Sequence, residues 1–131
     1  MKTLDKIAEI EYYLNYAIEA ADRRRTALAA KLTESSDSAE YALRWLNGDY
    51  EVIYTGALAL QLREAFQNPD FKDKTPLEIF AMYLEQVRYT FTHWYPENST
   101  NPFSNACHNE KFNALRKWLE RLESVNRKGG N

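Results

Sequence analysis

The sequence predicts an all-α fold, a single-domain bundle of four long helices and one short one, packed largely antiparallel. Three observations carry that expectation. Apolar residues recur in alternating steps of three and four through separate segments, which keeps one helical face aimed at one neighbour. The breaks between those segments hold helix-start and helix-stop residues. Only four glycines and four prolines occur in 131 residues, too few for a loop-rich or β-rich chain.

The first helix is expected over residues 4–32, behind Thr3 as a cap. Ile7, Ile10, Leu14, Ala17, Ala21 and Leu28 form its stripe, and the register position between the last two falls on Arg24 or Arg25. Its many alanines suit the close approach of a partner helix, either within the chain or on a second copy of it. After the polar break 34–38, Asp37-Ser38-Ala39-Glu40 reads as a capping box, opening a short helix through Tyr41, Ala42, Trp45 and Leu46. Asn47-Gly48 stops it, and Asp49 caps the next helix.

Residues 50–67 are apolar nearly all round, so that helix is expected to be well buried. Gly56 within it costs up to about 1 kcal/mol relative to alanine, a cost that a close helix crossing would explain. Residues 68–74 read as an exposed connection with Phe71 pinned to the body. Then comes the clearest element, Thr75 to Tyr95. Thr75 caps, Pro76 suits the first turn, and Glu78 completes a capping box. Leu77, Phe80, Leu84, Val87, Phe91 and Trp94 line one face, and Pro96 ends the run. The polar stretch 96–104 reads as a long loop with Phe103 at its tip. The last helix is expected to start near Ser104 or Asn105, with a stripe of Phe112, Leu115, Leu119 and Leu122 flanked by Trp118 and Val125.

Size and chemistry bound the function. A chain of 131 residues matches one domain and buries roughly two-thirds of its unfolded surface, enough for a core without staples. The single cysteine, Cys107, allows no internal disulfide and fits a reducing compartment. The triplet Asn98-Ser99-Thr100 matches a glycosylation acceptor, but no signal-peptide run accompanies it. No stretch approaches the roughly 18 apolar residues that cross a bilayer. The expectation is a cytoplasmic protein with no membrane partner.

Catalytic and metal chemistry find little footing. His93, Cys107 and His108 match no zinc spacing, and adjacent residues on a helix diverge. Cys107 with His93 lacks any accompanying oxyanion motif, and the Glu-x-x-His pattern of di-iron bundles is missing. The reading is therefore non-enzymatic, with neither cofactor nor metal.

What stands out is aromatic and charge placement. Nine tyrosines are many for this length, and tyrosine suits half-buried margins and interfaces. Tyr12 and Tyr16 share one face of the first helix, Arg23, Arg24 and Arg25 follow, and Asn98 and Phe103 mark the polar loop. These seven residues are the predicted contact set of a protein-binding module of the inhibitor or adaptor type, such as phages and mobile elements carry. The rival reading is nucleic-acid binding by Arg116, Lys117, Arg121, Arg127 and Lys128, with Arg23 to Arg25 as a second patch. Against it stand a net charge of −2, a pI near 5.7 and the interleaved Glu110, Glu120 and Glu123. A helix-turn-helix over 37–67 would offer only Arg63 as a basic residue on its second helix.

Overall fold

The computed structural model describes residues 3–34, 49–96 and 98–128, with side chains at 6–30, 49–96, 98–102 and 104–128. Four α-helices make up the described fold: α1 (Thr3–Glu34), α2 (Asp49–Phe66), α3 (Pro76–Thr92) and α4 (Pro102–Lys128). A single 3-10 turn, Pro69–Phe71, lies in the connection between α2 and α3. The described residues contain no strand. The short helix expected after Asp37 falls outside them. No helix among the described residues is long and apolar enough to cross a membrane.

The helices run up, down, up and down. Asn15 bonds to Arg63 and Arg24 to Asp49, so residue numbers rise on α1 as they fall on α2. On α4, Lys6 reaches the carbonyl of Asn126 (3.1 Å), and Tyr13 meets Arg121. The same reversal relates α3 and α4, where Trp94 packs on His108, Phe91 on Phe112, and Tyr83 on Trp118. The short connections from α2 to α3 and from α3 to α4 favour this arrangement.

The core follows from the stripes. Ile10, Leu14, Ala17, Ala21 and Leu28 are all buried on α1, as are Phe80, Leu84 and Val87 on α3. Arg24, at the polar register position of α1, turns to Asp49 at the start of α2 while Leu28 returns to the core. At Gly56 the helices α1 and α2 approach each other closely. A Cβ built on it would lie 2.3 Å from Ala21 Cβ and 3.1 Å from the Ala17 carbonyl. Ala17 and Ala21 of the small-residue stripe are thus covered by α2 of the same chain.

Side-chain hydrogen bonds also join the helices. Tyr83 Oη donates to the Leu58 carbonyl (2.8 Å) and accepts from Trp118 Nε1 (3.0 Å), tying α2, α3 and α4 together. Arg88 grips Glu123 through two parallel bonds of 2.5 and 2.7 Å. That bidentate geometry matches a guanidinium to a carboxylate.

Four local expectations are corrected. The α2 helix is not buried all round, because Leu60 is 41% exposed on the side away from Leu58, Ala59 and Leu62. The seam of α4 runs through Leu115, Trp118, Leu122 and Val125, which puts Trp118 in the core and Leu119 at its margin. The α3 helix stops at Thr92, since Tyr95 before Pro96 resists helical backbone and the chain leaves early. The α4 helix starts at Pro102, where proline loses no bond in the first turn, and the Asn101 carbonyl accepts from Asn105 N (3.2 Å). Phe103 therefore belongs to the first turn of α4 and not to a loop tip.

Candidate functional site

Three tyrosines near the middle of α1 divide by helical angle. Tyr12 and Tyr16, four residues apart, stand out at 64% and 59% exposure. Tyr13 turns inward instead. Its hydroxyl donates to Glu9 Oε1 (3.1 Å), its ring meets Tyr12 edge-on at 5.7 Å, and the Arg121 guanidinium sits 4.3 Å above its ring centre. A guanidinium over a tyrosine face keeps its N–H edge free to donate.

The three successive arginines also part by angle. Arg24 pairs with Asp49, and Arg25 turns back to Asp22 (2.6 Å). Arg23 is exposed and lines a groove between α1, α2 and α4 that holds about 340 Å³. Tyr13 and Tyr16 form one wall of this groove. Ala17, Ala20, Val52 and Trp118 give it an apolar floor, and Arg23, Arg24 and Arg121 stand around it. Glu51 also lines it, but Lys117 Nζ holds that carboxylate at 2.7 Å. Among the described residues its cations thus outnumber its carboxylates, over a floor suited to an apolar side chain.

The structure brings Tyr16, Arg23 and Arg24 together with Arg121, which the sequence placed in the rival nucleic-acid set. Asn98 does not line the groove. Asn98 is exposed in the connection between α3 and α4, where Asn105 Nδ2 donates to the Ser99 carbonyl (2.8 Å) and Asn101 N donates to Ser99 Oγ (3.0 Å). Sequence reasoning missed Tyr13, Val52 and Trp118. The spacing from Leu115 through Trp118 to Leu122 was the available signal for Trp118, and Glu9, four residues before Tyr13, was a signal for its inward turn.

The remaining basic residues of α4 are dispersed among partners. Arg116 pairs with Glu120 (3.3 Å), Lys117 with Glu51, and Lys128 with Glu9 (2.9 Å). The Lys128 bond holds the Glu9 carboxyl below the usual glutamate range, against the opposing pull of burial. Arg127 is exposed at the end of the helix.

At the α3–α4 end, the two histidines go separate ways. His93 stacks on Tyr89 at 3.9 Å, while His108 packs against Trp94 at 4.7 Å. Cys107 is half-buried, and burial pushes its thiol pKa up, which disfavours the nucleophilic thiolate. Among the described residues no group of three or more His, Cys, Asp or Glu could hold a metal ion. The groove beside Tyr16 is therefore the site with the most recognition chemistry in the described fold. No family model matches the chain, and neither a curated protein nor a solved structure does.

Proposed function

We propose that this chain is a small, non-enzymatic protein-binding module of the cytoplasm, an inhibitor or adaptor that acts by occupying a partner surface. The observation that carries this reading is the α1 face. Tyr12 and Tyr16 project there as exposed amphipathic rings, next to a groove ringed by Arg23, Arg24 and Arg121. Tyrosine and arginine are the residue types that most often dominate binding energy at protein interfaces, because each offers a large contact area and a directed polar end. The same face supplies no nucleophile–base pair. The nucleic-acid reading has weaker support, since Arg116, Lys117 and Lys128 are engaged by carboxylates of their own chain.

The test is affinity capture from the native host's lysate with the wild-type chain and with Tyr12→Ala/Tyr16→Ala. The expected result is a partner retained by the wild type and reduced at least about tenfold by the double variant, with unchanged helical content. Equal recovery by both proteins would remove the tyrosine face from the proposal. A gel shift on DNA or RNA that fades steeply with salt would favour the rival reading.

A further inference from the structure

We infer that the groove between α1, α2 and α4 binds a short acidic segment of the partner protein, a carboxylate-bearing stretch with one apolar or aromatic side chain. This rests on the protein-binding reading above and specifies the chemistry of its contact. The argument begins with charge. Arg23 makes no ion pair or hydrogen bond among the described residues. Arg24 keeps a half-exposed side chain although it pairs with Asp49. Arg121 is held by its flat face on Tyr13, which leaves its donor edge available. Among the described residues one carboxylate lines the groove, Glu51, and it is already held by Lys117. The groove therefore presents guanidinium donors in excess, and guanidinium forks fit carboxylates two bonds at a time.

The floor narrows the choice further. Ala17, Ala20, Val52 and Trp118 are apolar and small except for the indole, so one side chain can settle between them and the ring of Tyr16. A volume near 340 Å³ is at the lower end of the range for ligand pockets, enough for one or two side chains and not for an extended polymer. A nucleic-acid strand is disfavoured by the neighbourhood. Exposed Glu19 and Asp22 lie on the same helix as Arg23, so a phosphate chain continuing past the groove would meet like charge.

The probe is a capped pentapeptide, acetyl-Asp-Glu-Phe-Asp-Glu-amide, with its neutral twin acetyl-Asn-Gln-Phe-Asn-Gln-amide and a five-residue oligothymidylate for comparison. Titration into the ¹⁵N-labelled full chain is followed at the amides of Tyr16, Ala20 and Val52 and at the Trp118 indole. The expected result is saturable shifts with the acidic peptide only, weakened by added salt. Arg23→Gln and Arg121→Gln should each reduce the affinity about tenfold. Arg121→Lys should retain part of it, and Lys72→Gln, exposed in the connection between α2 and α3 away from the groove, should retain all of it. The inference is overturned by no shift at these positions, by equal binding of the neutral peptide, by tighter binding of the oligothymidylate, or by a Lys72→Gln loss equal to that of Arg23→Gln. Failure of the broader reading looks different. If the wild type captures no partner from lysate, protein binding itself fails; if it captures one and the peptide does not bind, only the groove assignment fails.

Discussion

Where α1 meets α2, the contact is made of the smallest side chains available, Ala17 and Ala21 against Gly56, and the two backbones nearly touch. Where α3 meets α4, the contact is made of large ones. Phe91 stacks on Phe112 at 5.4 Å, Trp94 tilts against His108 and Phe112, and Arg88 and Glu123 close the flank. The first seam is tight and has no room to adjust. The second is wide and held by rings and hydrogen bonds that can repack. The difference teaches where the chain tolerates change. Volume should matter most on the α1–α2 side, and lost polar partners on the α3–α4 side.

The sharpest way to break this contrast is at Gly56. Gly56→Leu is expected to abolish the folded state, because a whole side chain would have to enter the space of Ala21. Gly56→Ala is the finer probe. Alanine favours a helix over glycine by up to about 1 kcal/mol, yet the new Cβ would sit 2.3 Å from that of Ala21. Overpacking of this kind costs about 1–3 kcal/mol, so a net loss is expected in urea unfolding. The partner substitution Ala21→Gly should recover part of that loss in the double variant. A stability equal to wild type for Gly56→Ala alone would show that the seam can open, and the contrast would be gone.

Next in size is Tyr83→Phe. The change keeps the ring and removes one hydroxyl, but that oxygen both donates to the Leu58 carbonyl and accepts from Trp118 Nε1. Burial pushes the Tyr83 pKa well above the ordinary tyrosine value, so the hydroxyl is neutral and able to donate. Leaving the indole N–H without its partner should destabilise by about 1–3 kcal/mol in the same unfolding assay. A neutral outcome would mean that the polar bridge contributes nothing and that shape alone joins α2, α3 and α4.

These two seams were not equally legible. The α1 stripe and the Thr75–Glu78 capping box follow from spacing alone, and the structure has both, with Glu78 N donating to Thr75 Oγ1 at 3.2 Å. Gly56 could be suspected of a close crossing, because a glycine inside a helix needs a reason. What spacing could not settle was which side of an almost wholly apolar helix faces out, and so Leu60 was misplaced. Nor could it choose between Trp118 and Leu119, neighbours whose burial depends on where α1 and α2 stand. The groove was the least legible feature. Tyr16 and Arg23 could be singled out as exposed chemistry on one helix. Arg121 joins them only because α4 lies antiparallel to α1, a relation no single segment encodes.

A pH series compares the ion pairs of the two sides. Arg88 holds the Glu123 carboxyl below the usual glutamate range by hydrogen bonding, with burial opposing, and Lys128 does the same for Glu9 between α1 and α4. A folded-state pKa that is lowered adds stability above the unfolded value and loses it as pH falls through the folded one. The melting temperature should therefore drop below about pH 4.5. Glu123→Gln should lower it at pH 7 and flatten the acid limb, and Glu9→Gln should do the same more weakly, because its bond to Lys128 is single and Lys128 is half-exposed. Curves parallel to wild type would show that neither pair carries the acid response.

The smallest expected effect on stability falls on the residues of greatest interest for binding. Tyr12 and Tyr16 are more than half exposed, so alanine at either site removes little buried area. Tyr12 gives up its edge-on contact with Tyr13, a pairing of about 0.5–1 kcal/mol at most. Tyr16 has no ring partner among the described residues, and its loss should lie within about 0.5 kcal/mol, the usual scale for surface changes. The double variant should thus unfold within about 1.5 kcal/mol of wild type, far from the loss of fold expected for Gly56→Leu at the α1–α2 seam. That separation gives the capture experiment its meaning. A partner lost without a loss of fold locates recognition on the tyrosine face, whereas a double variant that fails to fold, as expected for Gly56→Leu, would mean that the rings support α1 itself.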